Sequence, residues 1–541
     1  MSFKKSWLAV PAVLALTLTA CSGGAGSADQ SGASAAPAGD VVAGDPIRTN
    51  GSEPQHPLLP GLTTETGGGK VLDATGAGLV YYDAKGETHN ELAESIESSD
   101  NITWTIKVKE GKKFSDGSDI KAKNFVDAWV LVGAENQDNA FFFEPVKGYD
   151  DKGEKHDLAQ GIKLVDDYTF TVELKQAEAD FPARLGYSVF QPLADAALAD
   201  MDAQGENPIA SGPYMLAENG WEHNVQIKLV PNPHYDGDRV AKNAGLNIVI
   251  YNDMDAAYND LQGGNLDVLD AIPTSAFDTF QSEFEGRSVI QGAAVFQSFA
   301  IPQKGHFAGE EGKLRRQAIS MAINRDELVK ALFNDTRKPA KDFTSPVVAG
   351  YNDAIPGNEV LTFNPEKAKE LWAQADAMTP FSGKFEIAYN GDGGHKDWVD
   401  AVTNMLRNNL GIEAEGKSFP DFKSFRNEIT ERRIETAFRT GWQGDYPSKF
   451  NFLGPLYGTT GSSNDTGYSN PKFDELLTKA AGSASLDEAN KILDEAQQIL
   501  FQDMPVIPTW YGGASAAWSD SVDNVEINWK SVPEYHNITR K

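Results

Sequence analysis

The sequence predicts a mixed α/β protein of two or three lobes, on three observations. The chain has 541 residues, 40% hydrophobic and 10% aromatic, which is ample material for a large core and more than one compact lobe ordinarily holds. Segments whose apolar residues alternate are interleaved with segments of helical spacing. No period of 20 to 50 residues suggests a solenoid or a propeller.

Taken in order, the stretch NITWTIKVK alternates Ile102, Trp104, Ile106 and Val108 and reads as a half-buried strand. A glycine turn follows, then a helix expected to be capped at Ser118 or Asp119. DYTFTVEL repeats the alternation with Tyr168, Phe170, Val172 and Leu174, and VQIKLV with Val225, Ile227 and Leu229. DWVDAVTNMLRNNLG sets Trp398, Val402, Met405 and Leu406 along one stripe, with Gly411 as a C-terminal stop. SLDEANKILDEAQQIL offers Ser485 and Glu488 as a capping box, with Leu486, Ala489, Ile492, Leu493, Ala496 and Leu500 on one face.

The first 20 residues have a different character. Lys4 and Lys5 precede an apolar run from Trp7 to about Thr19, too short to cross a bilayer comfortably and shaped like the core of a signal peptide. The run closes on Leu18-Thr19-Ala20-Cys21, and Cys21 is the only cysteine, so it has no intrachain disulfide partner. The stretch resembles a bacterial lipobox, which implies cleavage before Cys21, diacylation there, and a stable two-chain membrane anchor. Residues 21–45, rich in Gly, Ser and Ala, then read as a flexible tether. Removing Lys4 and Lys5 with the leader takes the formal charge from −30 to −32. Such an acidic body excludes nucleic acid as a partner, because a phosphate backbone needs a concentrated cationic face.

Catalytic motifs are missing. TGGGK, Thr66–Lys70, lacks the spacing of a phosphate-binding loop and reads as a flexible turn. The eight histidines form no i, i+4 zinc pair, so no metal or cofactor is expected. There is no G-x-S-x-G elbow, and no carboxylate spacing marks a glycosidase.

A series of local patterns is more informative. Trp104–Trp129, NGSEPQ from Asn50, SGPYML from Ser211 with VQIKLVPNPHY, LQGGNLDVL from Leu261, LRRQAISMAINRDELV from Leu314, FNPEKAKELW from Phe363 and GYSNPKFDELL from Gly467 are spread along the body. Together, from about Arg48 to Asn528, they resemble the peptide/nickel-type solute-binding proteins of ABC importers. Read as residues, most of these fragments are turns and helix starts that carry fold.

The resemblance implies a periplasmic-binding-protein-like α/β fold of the cluster C type, two lobes around a ligand cleft and a third, additional lobe. It divides this chain into a first lobe from residues 46–75, 205–300 and 505–541, a second from 76–204 and a third from 301–504. It implies a monomeric receptor that takes an extended peptide and hands it to a permease without chemistry. In peptide-binding relatives an aspartate in Gly-Trp-x-x-Asp-Tyr holds the ligand ammonium; here that is Asp445, after Gly441-Trp442-Gln443-Gly444 and before Tyr446. Arg439 takes the position of a carboxylate-binding arginine and His395 that of an assisting histidine. Thr64 and Glu65 lie where the first lobe touches ligand, though LTTETGGG departs from the usual pattern. Arg439 equally suits an internal ion pair, Trp442 the core, and His395 a helix cap. Another solute, such as a nickel chelate, sugar or opine, and a surface hydrolase are the alternatives.

Overall fold

The computed structural model describes residues 44–541 apart from 151, 152, 154, 392, 393, 421 and 462. The expected signal segment, Cys21 and the tether up to position 43 lie outside the described residues.

Strands from widely separated parts of the chain join one large sheet. Its path runs Ala414–Phe419, Phe385–Asn390, Ala437–Gln443, Ser288–Ala300, Val506–Trp518, Val268–Leu269, Ile47–Gly51, Leu246–Ile250, Gln226–Pro231 and Tyr214–Glu222, with Lys338–Pro339 added on Val506–Trp518. A separate four-stranded antiparallel sheet orders Ala93–Glu97, Thr103–Val108, Thr169–Glu173 and Ile162–Leu164.

The apolar residues form distinct cores. One, drawn from Ala294 to Trp529, packs Gly309–Met321, Pro365–Met378, Lys396–Leu410 and Leu486–Asp503 around the sheet's first half. Another takes its buried residues, among those described, from between Ala77 and Ala197, with Met201, Ile209 and Tyr235 packed against it. A third ties Ile47, Leu246 and Ile248 to Val522, Tyr535 and Ile538 from the C-terminus. Arg48 and Arg540 clamp that junction by pairing with the buried Asp267 at 2.7 and 2.6 Å. Burial would raise the Asp267 carboxyl, but the bonds from the two arginines outweigh it and hold it at about 2.

Ser288–Ala300 and Val506–Trp518, thirteen residues each, run antiparallel through the middle of the large sheet. Their register shifts between Gly292 and Phe296 and again between Gln297 and Ser298. Such irregularities bend and twist a strand pair. Close approach here demands glycine: a Cβ on Gly512 would lie 2.7 Å from Val295 Cβ, and one on Gly513 2.3 Å from the Thr336 carbonyl oxygen.

Several local expectations are corrected. TGGGK is the first turn of the helix Thr66–Thr75, not a flexible turn, because Glu65 caps it and close packing of Gly67 and Gly68 leaves no room for side chains. The next helix starts at Ala122 rather than after Ser118 or Asp119; Asn124 Oδ1 accepts the Lys121 N–H at 2.9 Å and closes its first turn. Ile102, Val225 and Leu486 sit at element ends and are exposed, while Trp104, Ile106, Val108, Ile227, Leu229 and the rest of the Ala489–Leu500 face are buried. Ser485 Oγ accepts the Glu488 N–H at 3.3 Å, and Gly411 ends its helix at φ +70°.

Candidate functional site

The strand Ala437–Gln443 buries Ala437 and Phe438 and pairs with Ser288–Ala300 from Phe438 onward, Arg439 opposite Phe299, Gly441 opposite Gln297 and Gln443 opposite Val295. Its other edge pairs with Phe385–Asn390 only at Ala437 and Phe438. From Thr440 to Gln443 that edge has no strand partner among the described strands. An unpaired edge is a template on which an extended chain adds as a further strand. Gly441 lies on this stretch, where a Cβ would come within 3.0 Å of the Phe296 carbonyl oxygen and the Gln297 amide.

Just beyond the strand, one amide organises the aspartate. Asn451, buried in the first turn of the helix Lys449–Tyr457, accepts at Oδ1 from the Trp442 indole N–H at 3.1 Å and the Asp445 backbone N–H at 2.8 Å. Its Nδ2 donates to Asp445 Oδ2 at 2.8 Å. Trp442 and Asp445 are thus fixed by a residue that sequence reasoning missed, and nothing in the sequence distinguishes this asparagine from any other near a helix start. Burial pushes the Asp445 carboxyl up to about 6, against the Asn451 bond and the positive charges of Lys530 and Arg184. Among the described ion pairs, those two cations are directed elsewhere, Arg184 to Glu178 and Lys530 to Asp73.

Asp445 opens into a cavity of about 550 Å³. Trp442, Tyr446 and Phe450 form one wall, and Phe141, Phe142, Glu178, Asp180 and Arg184 another. The two walls meet through polar contacts: Ser448 Oγ donates to Asp180 Oδ2 at 2.9 Å, and the Ala179 N–H to the Ala481 carbonyl at 2.8 Å. Arg184 pairs with Glu178 at 3.0 Å and stacks 5.4 Å over the Tyr446 ring. A smaller cavity of about 80 Å³ beside Lys530 has its arginine, Arg239, already bonded to Glu91.

The other expected residues are elsewhere. Arg439 does not line this cavity; its Nε donates to Asn390 Oδ1 at 2.8 Å, and its guanidinium lies 5.0 and 5.3 Å over Phe422 and Phe425. Strand alternation turns it to the face opposite Trp442. His395 occupies the N-cap position of Lys396–Leu410, but its Nδ1 accepts the Trp398 indole N–H at 3.1 Å instead of capping. Thr64 is exposed, and Glu65 Oε1 accepts the Gly68 and Gln55 N–H groups at 3.0 and 3.2 Å. Gln443 is exposed at the strand end. One cluster went unnoticed in the sequence: a hairpin gathers Asp83, Glu87 and His89, with ligand atoms within 4.8 Å of one another, at the surface. Asp83 Oδ1 there already accepts the Lys85 and Glu87 N–H groups.

Comparison with known proteins points the same way as the geometry. The family described as bacterial extracellular solute-binding proteins, family 5 Middle, matches residues 87–464. The oligopeptide-binding protein OppA of Bacillus subtilis is 26% identical over 94% of both chains. The periplasmic oligopeptide-binding protein OppA of Salmonella typhimurium is 27% identical over 88% of this chain and 90% of its own. Among solved structures, the unliganded open form of the periplasmic murein tripeptide-binding protein MppA superposes with a TM-score of 0.77 at 23% identity, covering 93% of this chain and 99% of the other. The mixed α/β binding-protein fold is therefore shared.

Proposed function

The chain belongs to the bacterial extracellular solute-binding proteins of family 5, and from that membership and the Asp445 cavity we propose an extracytoplasmic peptide receptor. It is anchored through lipid on Cys21, binds peptides without chemistry, acts as a monomer, and delivers its ligand to the permease of an ABC importer. The named relatives that bind oligopeptides support the ligand class.

One observation carries the reading: a carboxylate on the wall of a partly open cavity, just beyond a strand whose edge has no strand partner from Thr440 to Gln443 among the described strands. A peptide supplies what both lack. Its α-ammonium pairs with Asp445, and its backbone hydrogen-bonds along Thr440–Gln443, contacts that every peptide can make whatever its side chains. Trp442 and Tyr446 give apolar walls, and the cavity has room for side chains of varied size. The lobes, bounded as the sequence suggests, close by flexing at the irregular register of Ser288–Ala300 and Val506–Trp518, an equilibrium that ligand biases.

The test is thermal unfolding of the unlipidated body with tri- to pentapeptides and their N-acetylated twins. Free peptides at a hundredfold excess over Kd should stabilise by about 2.7 kcal/mol, and acetylation should remove the stabilisation. Stabilisation that survives acetylation removes the role of Asp445; none with any peptide favours another solute.

A further inference from the structure

Apart from Asp445, the charged groups lining the cavity are engaged within the protein. Glu178 pairs with Arg184 at 3.0 Å, and Asp180 accepts from Ser448 Oγ at 2.9 Å. Asp474 accepts the Thr459 N–H and hydroxyl at 2.9 and 2.6 Å. Glu144 and Lys175 have partners as well. Once the ligand ammonium sits at Asp445, a ligand side chain finds no further charge left for it, and selection falls to the apolar part of the lining.

That part is built from rings. Phe141, Phe142 and Tyr187 form a column, with centroids 4.4 and 4.2 Å apart and planes tilted by 31° and 23°. One end is closed, since Lys530 Nζ lies 5.6 Å from the Tyr187 ring centroid. The other end is open. Phe141 lines the cavity, is 38% exposed, and has Phe142 as its one ring partner among the described residues. Across the cavity, Trp442 and Phe450 present half-buried rings, and the bond from the Trp442 indole to Asn451 at 3.1 Å fixes its plane.

A ring laid on a free aromatic face gains more than its buried area, because offset stacking sets the positive edge of one ring against the negative face of the next. The cavity of about 550 Å³ has space for such a ring.

We infer that the cavity selects peptides with an aromatic side chain at one of the first two residues, its ring stacking on Phe141 as the next member of the column. This rests on the peptide reading above and names its ligand class. The ammonium and backbone contacts stay available to every peptide, and the column adds a preference to them.

Calorimetric titration of the unlipidated protein with Phe-Ala-Ala, Ala-Phe-Ala, Ala-Ala-Ala and the cyclohexylalanine twins of the first two tests it. The better phenylalanine peptide should bind roughly tenfold more tightly than trialanine, and several-fold more tightly than its cyclohexylalanine twin, which is as bulky and more apolar but has no π-face. Equal affinities throughout overturn the aromatic selection and leave peptide binding standing. Cyclohexylalanine matching phenylalanine also overturns it, since apolar bulk would then suffice. No binding by any of these peptides overturns the peptide reading with it. Phe141→Ala should remove most of the phenylalanine-to-trialanine ratio, and Phe141→Tyr should keep it. The ratio is read on one protein and is insensitive to any loss of folded fraction; an unchanged ratio in Phe141→Ala overturns the inference.

Discussion

Replacing Asp445 with asparagine should make the free protein more stable and nearly abolish ligand binding. Burial raises this carboxyl from 3.8 to about 6, and a pKa that differs by one between the folded and unfolded states corresponds to about 1.4 kcal/mol. An acid with a raised folded-state pKa holds its proton more tightly when folded, so its contribution to stability is fullest below 3.8 and lost as pH rises through about 6. At neutral pH the ionised group therefore costs up to about 3 kcal/mol. The asparagine side chain would keep the shape and an acceptor for Asn451 Nδ2 without the charge, and should recover roughly 1–3 kcal/mol, seen as a higher Tm for the free protein. The same change removes the partner of the ligand ammonium, for a loss of about 2–5 kcal/mol of affinity by calorimetry. A pH series separates the two effects. Binding requires the ionised carboxylate, so the wild-type Kd should weaken about tenfold from about pH 7.5 to about pH 5, where roughly a tenth of the Asp445 groups are charged. The variant's residual binding should lose this roughly tenfold dependence, keeping only what Glu178, raised by burial to about 7 in the same cavity, contributes. Affinity within about threefold of wild type, or a lowered Tm in the free variant, would refute the reasoning.

Asn451→Ala should leave the Trp442 indole and the Asp445 N–H unpaired; a cost of about 1–3 kcal/mol in denaturant unfolding is expected, together with weakened peptide binding, whereas unchanged affinity would show that Asp445 needs no such holder. Glu65→Ala removes the cap of Thr66–Thr75 and should cost about 0.5–2 kcal/mol of stability with affinity unaltered; roughly tenfold loss of affinity would instead make Glu65 a ligand contact. Gly513→Ala pushes a methyl against the Thr336 carbonyl in the long strand pair; chemical denaturation should show an overpacking loss of about 1–3 kcal/mol, and no loss would mean the pair has slack.

Much of the fold was legible because short-range geometry writes it into the sequence. Trp104, Ile106 and Val108 face one way because side chains alternate along a strand. Ala489, Ile492, Leu493, Ala496 and Leu500 share a face because a helix repeats near 3.6 residues. The Thr66–Lys70 turn misled for the converse reason: three adjacent glycines lower helix propensity, yet the Glu65 cap and close packing against Ser52 and Thr63 override it.

The sequence alone singled out Asp445 with Trp442 and Tyr446, since the recognisable pattern lies in one short run from Gly441 to Tyr446. Only tertiary structure decided what surrounds them. Alternation on the strand sent Arg439 to the other face, toward Phe422 and Phe425, and the helix after Ser448 brought Asn451 back onto Asp445. Glu178, Asp180 and Arg184 joined the cavity from a segment that shares no strand with Asp445. Local dihedral preferences act over a few residues, whereas a cavity's lining and charge arise from docking surfaces far apart in the chain, and periodicity carries no record of which surfaces meet.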